Sequence, residues 1–140
     1  MNLTKNFTLE ELTYSATANA YKISNKPNKE QIENLKRLAI NILQPIRDKF
    51  GVVRISSGFR STELNKKIRG SAKNSQHMTG QAADIGEVKG TKLKDVFKYI
   101  KDNLDYDQLL YEIAGGVIWI HVSYVSKEKN RHQAIDNYKA

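Results

Sequence analysis

Two histidines and one aspartate are the residues of this sequence whose types and spacing best suit metal chemistry. The chain has three histidines, and His77 and Asp84 lie seven residues apart in SQHMTGQAADI, a run without helical or strand periodicity. His121 lies in VIWIHVSY. Two imidazoles and a carboxylate suit a catalytic zinc ion with an open fourth position. Each histidine taken alone has a simpler interpretation, because most lone histidines are ordinary hydrogen-bonded residues.

Composition limits the kind of protein that can carry these groups. The chain has 140 residues, 39% of them hydrophobic, which predicts a single domain over 1–140 with its own core and a polar, loosely ending tail from about Lys127. It has no cysteine, so neither a disulfide nor a thiolate metal site can form. Any metal must therefore be held by imidazole and carboxylate.

The charge of the chain favours a polyanionic partner. The formal net charge is +8, from 23 basic and 15 acidic residues, which suits nucleic acid or an anionic cell envelope. The basic residues are spread out without a recognisable reading motif, so we expect no nucleic-acid binding. No segment has the roughly 20 apolar residues of a membrane span, and the N-terminus lacks a secretory signal, which predicts synthesis in the cytoplasm.

Helix signals locate the elements that must position the three groups. Thr8 and Glu11 have capping-box spacing and predict a short first helix. Asn28 is placed to cap a long amphipathic second helix, which Pro45 kinks or interrupts and Gly51 ends. STELNKKI predicts a further helical turn or two, and Thr91 is placed to cap a third helix.

Four segments have the character of strands: VVRIS, QAADI, DQLLYE and VIWIHVSY. Alternation in the last one places Trp119, His121 and Ser123 on one face, and Ile118, Ile120 and Val122 on the other. A loop from Gly70 to Gly80 precedes QAADI. Gly80 and the alanines at 82 and 83 remove bulk, so this loop can turn back and present Asp84 to His77.

These residues also carry a family resemblance. SQHMTGQAAD fits the pattern Ser-x-His-x-x-Gly-x-Ala-x-Asp and resembles the zinc D-alanyl-D-alanine peptidases, which include carboxypeptidases, dipeptidases and phage endolysin peptidases. The likeness extends to FTLEELTYSATA, NLKRLAINILQPIRDKFG, ISSGFRSTELN and WIHVSY, nearly the whole chain up to Tyr124. It implies a compact α+β fold in which a small antiparallel sheet with packed helices carries zinc on its face, bound by His77, Asp84 and His121.

Four residues are candidates for substrate contacts, one of them from the resemblance. Arg60, in SGFRS, matches an arginine that binds substrate and stabilises the oxyanion, although a surface salt bridge is the alternative. Ser75 and Gln76 offer hydrogen bonds to a peptide, although such loop residues are more often solvated. Trp119, on the strand face of His121, is the fourth candidate for substrate binding.

The general base departs from the family pattern. Much of the family has Glu or Asp three residues before the last histidine, where this chain has Ile118. Glu112 is the candidate that could accept the proton of the attacking water, and Asp107 and Glu87 are the alternatives.

The predicted hairpin sets a geometric condition on this assignment. A tight turn at Gly115-Gly116 that paired Glu112 with Val117 would place Glu112 four residues, roughly 13 Å, from the partner of His121. The strands would then have to be offset, bulged or joined by a wider loop.

The sequence thus predicts a monomeric zinc metallopeptidase, carboxypeptidase-like or endolysin-like, that acts on bacterial peptidoglycan. The bond is a D-Ala-D-Ala terminus, a crosslink or L-Ala-D-Glu, and the origin is a phage or a bacterium. Delivery to the cell wall would use a holin, lysis or a virion. The alternative is a catalytically silent peptidoglycan-binding domain, which keeps the groove and lacks the base.

Overall fold

The computed structural model describes residues 1–68 and 71–137, which form a mixed α+β structure. The helices are α1 (Leu9–Thr13), α2 (Ala16–Tyr21), α3 (Lys29–Leu38), α4 (Gln44–Phe50), α5 (Thr62–Lys67) and α6 (Leu93–Asn103). The strands are β1 (Val53–Ser57), β2 (Ala82–Val88), β3 (Gln108–Ala114), β4 (Val117–Ser123) and β5 (Gln133–Asp136). The predicted fold class is therefore confirmed. Among these residues no helix is long and apolar enough to cross a membrane.

The strands form a single sheet in the order β1-β2-β4-β3-β5 across the described residues. All neighbouring strands run antiparallel except β3 and β5, which are parallel. One face of the sheet packs against the helices, where Ile85, Leu109, Ile120 and Val122 are fully buried. Asp84 and His121 pair directly across β2 and β4 and alternate with these core residues. They therefore lie on the opposite face.

The N-terminal helices begin at polar caps. The Thr8 side chain accepts a hydrogen bond from the Glu11 amide at the start of α1, as predicted. Asn28 and Gln31 form a complete capping box at α3, which also confirms the prediction. Helix α2, which Ser15 caps, is not predicted from the sequence, because its six residues are too few to show an apolar periodicity.

Pro45 interrupts the long helix, as expected. A π-helical turn, Ala39–Leu43, separates α3 from α4, and the Gln44 amide donates to the Ala39 carbonyl five residues back. Proline has no amide hydrogen for the ordinary helical bond, so the wider turn comes just before it. Gly51 ends α4 with φ of 99°, a conformation that favours glycine.

The prediction that Thr91 caps the third predicted helix is wrong. That helix is α6, which follows Lys92 and has no side-chain cap. The Thr91 amide instead donates to the Val88 carbonyl at 3.1 Å and closes the turn through Gly90. This backbone hydrogen bond places Thr91 one residue before the N-cap position, which Lys92 occupies.

The prediction of a loose C-terminal tail is wrong for residues 133–136, which form β5. The Gln133 amide donates to the Asp107 carbonyl at 3.0 Å, and the Asn137 amide to the Tyr111 carbonyl at 2.9 Å. Because β5 is a largely exposed edge strand, its polar composition gave no apolar alternation from which to predict it.

The β3–β4 hairpin closes with a two-residue turn. Ala114 pairs with Val117 around Gly115 and Gly116, whose φ angles are 57° and 79°. A two-residue turn of this kind needs positive φ at both positions, which two glycines permit. Glu112 therefore does not pair with Val117, and the expectation that the strands must be offset, bulged or joined by a wider loop is wrong.

Candidate metal centre and substrate cleft

His77, Asp84 and His121 meet at one point on the open face of the sheet. One potential ligand atom from each lies within 4.8 Å of the others, so the three could hold a metal ion. His77 Nε2 lies 3.3 Å from Asp84 Oδ1, and His121 Nδ1 lies 3.0 Å from the same oxygen. His77 and Asp84 are buried, whereas His121 is half-buried. The two nitrogens and the carboxylate oxygen thus point into a shared space.

A short 3₁₀ turn, Gln76–Thr79, delivers His77 to this point. The Ser75 hydroxyl caps it by accepting a hydrogen bond from the His77 amide at 3.1 Å. The turn ends at Gly80, whose φ is 79° and where a Cβ would lie 2.6 Å from the Gln31 carbonyl oxygen. Only glycine fits this close approach to α3. The next strand, β2, then begins at once and carries Asp84.

The tautomer of His77 is set by a backbone carbonyl. His77 Nδ1 lies 2.7 Å from the Gly58 carbonyl oxygen, which can only accept, so Nδ1 carries the hydrogen and donates it. In the neutral ring this leaves Nε2 without a hydrogen, as a metal ligand requires, whereas a protonated ring donates from Nε2 to Asp84 Oδ1 at 3.3 Å. A Cβ at Gly58 would collide with the Leu12 carbonyl, so the close packing of α1 requires glycine here.

Asp84 stays ionised between the two rings. Burial opposes its charge, but hydrogen bonds from His121 and His77 outweigh that effect and hold the pKa of the carboxyl well below its usual range. Two imidazoles and an ionised carboxylate are the donor set of a catalytic zinc site. The residues present therefore fit zinc.

Arg60 is fixed beside this cluster. Its Nε donates to Ser57 Oγ at 3.0 Å, Nη1 to Asn65 Oδ1 at 3.4 Å, and Nη2 to Asp84 Oδ2 at 3.5 Å. Its amide donates to the His77 carbonyl at 3.0 Å. Burial lowers the pKa of Arg60, and the Asp84 charge opposes that shift. The surface salt-bridge alternative is wrong, because Arg60 is only 9% exposed.

Asn25 secures the loop that carries Arg60, a role that the sequence did not indicate. Its side-chain amide donates to the carbonyls of Thr13 at 2.8 Å and Phe59 at 2.9 Å. Its oxygen accepts from the Ser61 amide at 2.7 Å. The backbone on both sides of Arg60 is thus held by one side chain, but a lone asparagine in a sequence does not reveal such distant partners.

A cavity of about 700 Å³ opens over the cluster. All the predicted substrate-binding residues, Arg60, Ser75, Gln76 and Trp119, line it. Glu112 lines it as well. The structure therefore brings the predicted substrate contacts, the metal ligands and the predicted base to one cleft.

Glu112 projects from the same face as His121. It pairs with Trp119, whereas His121 pairs with Leu110 two residues away on β3, a separation of about 7 Å along the strand. Asn137 donates to Glu112 Oε1 at 2.8 Å and fixes the carboxylate from the end of β5. Ile118 alternates with His121 and packs against the core, so an acid at that position would face away from the cleft.

The two alternative bases have other partners. Asp107 is 2% exposed and accepts hydrogen bonds from Arg131 and Gln76. Burial opposes its charge, but these bonds more than offset burial and lower the pKa of Asp107 to about 2. Glu87 is exposed and lies 3.7 Å from Arg54. Neither carboxylate lines the cleft.

Comparison with known protein families covers most of the chain. A family model described as Peptidase M15 matches residues 5–123. The match includes all three candidate metal ligands, Arg60 and Glu112, and it ends before β5. No curated protein sequence matches the chain.

Proposed function

The chain belongs to the peptidase M15 family, and from this premise we propose that it hydrolyses peptide bonds in bacterial peptidoglycan. The family consists of zinc D-Ala-D-Ala peptidases, so the resemblance identified from the sequence is confirmed and the chain is a zinc metallopeptidase. The proposed substrates are stem peptides that contain D-amino acids. The proposed bond is a D-Ala-D-Ala terminus, a crosslink or L-Ala-D-Glu.

The observation that carries the proposal is the single cleft that joins the His77–Asp84–His121 cluster to Arg60 and Glu112. Its volume of about 700 Å³ suits a short peptide. A peptidase needs an electrophile, an oxyanion-stabilising group and a proton acceptor within one such space. We assign these three roles to the metal cluster, Arg60 and Glu112.

The residues of the cleft divide the work of hydrolysis. Zinc, when bound by the cluster, supplies a Lewis acid that polarises the scissile carbonyl and acidifies water. Arg60 stabilises the oxyanion, and its three side-chain partners hold the guanidinium in place before substrate arrives. Glu112 accepts the proton of the attacking water and returns it to the leaving amine. Ser75, Gln76 and Trp119 bind the peptide.

The net charge supports a location at the cell wall. The formal charge of +8 attracts the protein to the anionic bacterial envelope. We propose that a holin, lysis or a virion brings it there.

The second candidate is a catalytically silent peptidoglycan-binding domain. Its support is Ile118, which occupies the position where much of the family has its acid. The fold weakens this alternative, because Ile118 faces the core and Glu112 faces the cleft. Such a domain would bind zinc and sediment with peptidoglycan without cutting it.

The test is digestion of purified peptidoglycan by zinc-reconstituted protein, followed by mass spectrometry of the soluble fragments. We expect new peptide termini at one bond type, and their loss when the protein is treated with a chelator. Protein that carries zinc and sediments with peptidoglycan, yet releases no fragment, would favour the silent binding domain instead. The fragment masses identify the bond.

A further inference from the structure

Arg131 enters the cleft from the segment beyond the family match. That segment returns along β3, and the Arg131 amide donates to Asp107 Oδ1 at 2.9 Å. Its Nε and Nη2 donate to the two oxygens of the same carboxylate, both at 2.9 Å. The buried Asp107 thus holds the guanidinium by a bidentate pair, while the Arg131 side chain remains 54% exposed and lines the cleft.

Among the described residues, one end of this guanidinium has no hydrogen-bond partner. Within residues 1–68 and 71–137, Nη1 of Arg131 makes no hydrogen bond, although Nε and Nη2 do. Gln76, whose side chain also donates to Asp107 at 3.0 Å, lines the cleft next to it. A planar cation that is fixed at one edge and open at the other is suited to bind a second carboxylate.

The position of this group relative to the metal cluster follows from the strand register. Asp107 accepts from Ser123 Oγ at 3.4 Å, and Ser123 lies two residues beyond His121 on the same face of β4. Glu112 lies on the other side, opposite Trp119. Arg131 and Glu112 therefore lie on opposite sides of His121. Ser123, which contacts Asp107, lies about 7 Å along the strand from His121, the length of two extended residues of a bound peptide.

We propose that Arg131 is a specificity-determining residue that binds a carboxylate of the substrate one or two residues from the scissile bond. The inference rests on the proposed function, because stem peptides carry a carboxylate at the D-glutamyl residue and another at the C-terminus. Arg60 is already engaged by Ser57, Asn65 and Asp84. Of the two arginines that line the cleft within the described part of the chain, Arg131 is the one with an open edge.

The probes are acetyl-L-Ala-γ-D-Glu-L-Lys-D-Ala-D-Ala and two variants in which either the glutamyl α-carboxylate or the C-terminal carboxylate is an amide. Binding to the zinc-loaded protein is measured by NMR titration, which reports binding whether or not the peptide is cut. We expect the acid peptide to bind roughly tenfold or more tightly than one of the amides, as a charge-assisted hydrogen bond predicts. The amide that loses affinity identifies the carboxylate.

Three variants test the assignment to Arg131. In the Arg131→Gln variant, the acid peptide should bind only as tightly as the amide peptide that loses affinity in the wild type. Arg131→Lys should do the same, because its ammonium pairs with Asp107 and lacks the second edge of the fork. It also keeps a cation beside the buried Asp107, which protects the fold if Arg131→Gln is unstable. Lys129→Gln removes a charge from the same exposed segment and should keep the preference.

The outcomes separate this inference from the proposed hydrolysis. An unchanged acid preference in folded Arg131→Lys, or no acid preference in the wild type, overturns the role of Arg131 even if peptidoglycan is digested. An acid preference that depends on Arg131 supports the carboxylate site even if no fragment is released. Absence of any binding to the wild type overturns the carboxylate site, and digestion of peptidoglycan then decides the function alone.

Discussion

The two sides of the cleft differ in how firmly the fold holds them. The ligand side is the metal cluster of His77, Asp84 and His121. His77 and Asp84 are at most 9% exposed and are held by the Gly58 carbonyl and by the buried Arg60. The substrate side comprises Glu112, Trp119 and Arg131, which are half-buried to exposed. The segment just before β5 supplies Arg131, which pairs with Asp107. Asn137, just after β5, supports Glu112 with a hydrogen bond.

This difference suggests a division of labour. A metal site gains from ligands whose orientation is fixed before the ion binds. A peptide site must admit and release a chain, which suits side chains at a more open surface. Substitutions on the ligand side should therefore change zinc affinity or stability, whereas those on the substrate side should change turnover or specificity with zinc retained.

Glu112→Gln should have the largest effect on turnover. It keeps the shape and removes the proton acceptor, so we expect turnover to fall roughly a hundredfold or more with zinc content and melting temperature unchanged. Peptidoglycan digestion and elemental analysis check both parts. Glu87→Gln, an exposed carboxylate outside the cleft, is the matched control and should be as active as the wild type. Full activity of Glu112→Gln would show that another residue is the general base.

Gly58→Ala should weaken zinc binding on the ligand side. The added Cβ meets the Leu12 carbonyl, so the backbone must shift and the hydrogen bond from His77 Nδ1 must weaken. We expect zinc affinity to fall roughly tenfold to a hundredfold, as for other changes to groups that orient a ligand, and stability to fall with it. Competition with a chromogenic chelator measures the affinity. Wild-type affinity and melting temperature would show that this carbonyl does not orient the ring.

Arg60→Lys lies between the two classes. Lysine keeps the charge but cannot reproduce the planar contacts with Ser57, Asn65 and Asp84, so turnover should fall at least tenfold. Zinc content should stay unchanged, because Arg60 is not a ligand. Steady-state kinetics that match the wild type would show that Arg60 does not take part in the reaction.

Asn137→Ala should have the smallest effect. It removes the hydrogen bond that Glu112 Oε1 accepts at 2.8 Å and leaves the carboxylate itself in place. We expect turnover to fall by a factor of about 3 to 10, the usual value of one hydrogen bond. The decrease should vanish when Asn137→Ala is combined with Glu112→Gln, since the contact then has no base to position. An additive decrease in the double variant would indicate a role of Asn137 independent of Glu112.

The ligand side could be predicted from sequence because its signals are local. His77 and Asp84 lie within one short motif, and the alternation of β4 places His121 on the open face. The positions of the substrate-side residues depend on strand register and on the pairing of segments that are far apart in the sequence. The Gly115-Gly116 turn brings Glu112 to two residues from the partner of His121, and Arg131 reaches the cleft from the segment just before β5, which pairs with β3. A polar edge strand has no pattern that reveals such pairing.

Zinc stoichiometry tests the metal centre most directly. After reconstitution and removal of excess metal, elemental analysis should find about one zinc per chain in the wild type. His77→Ala should lose most of this zinc. His132→Ala should keep it, because the third histidine pairs with Asp105 outside the cluster. A wild-type protein without zinc, or His77→Ala with its full zinc content, would contradict the account.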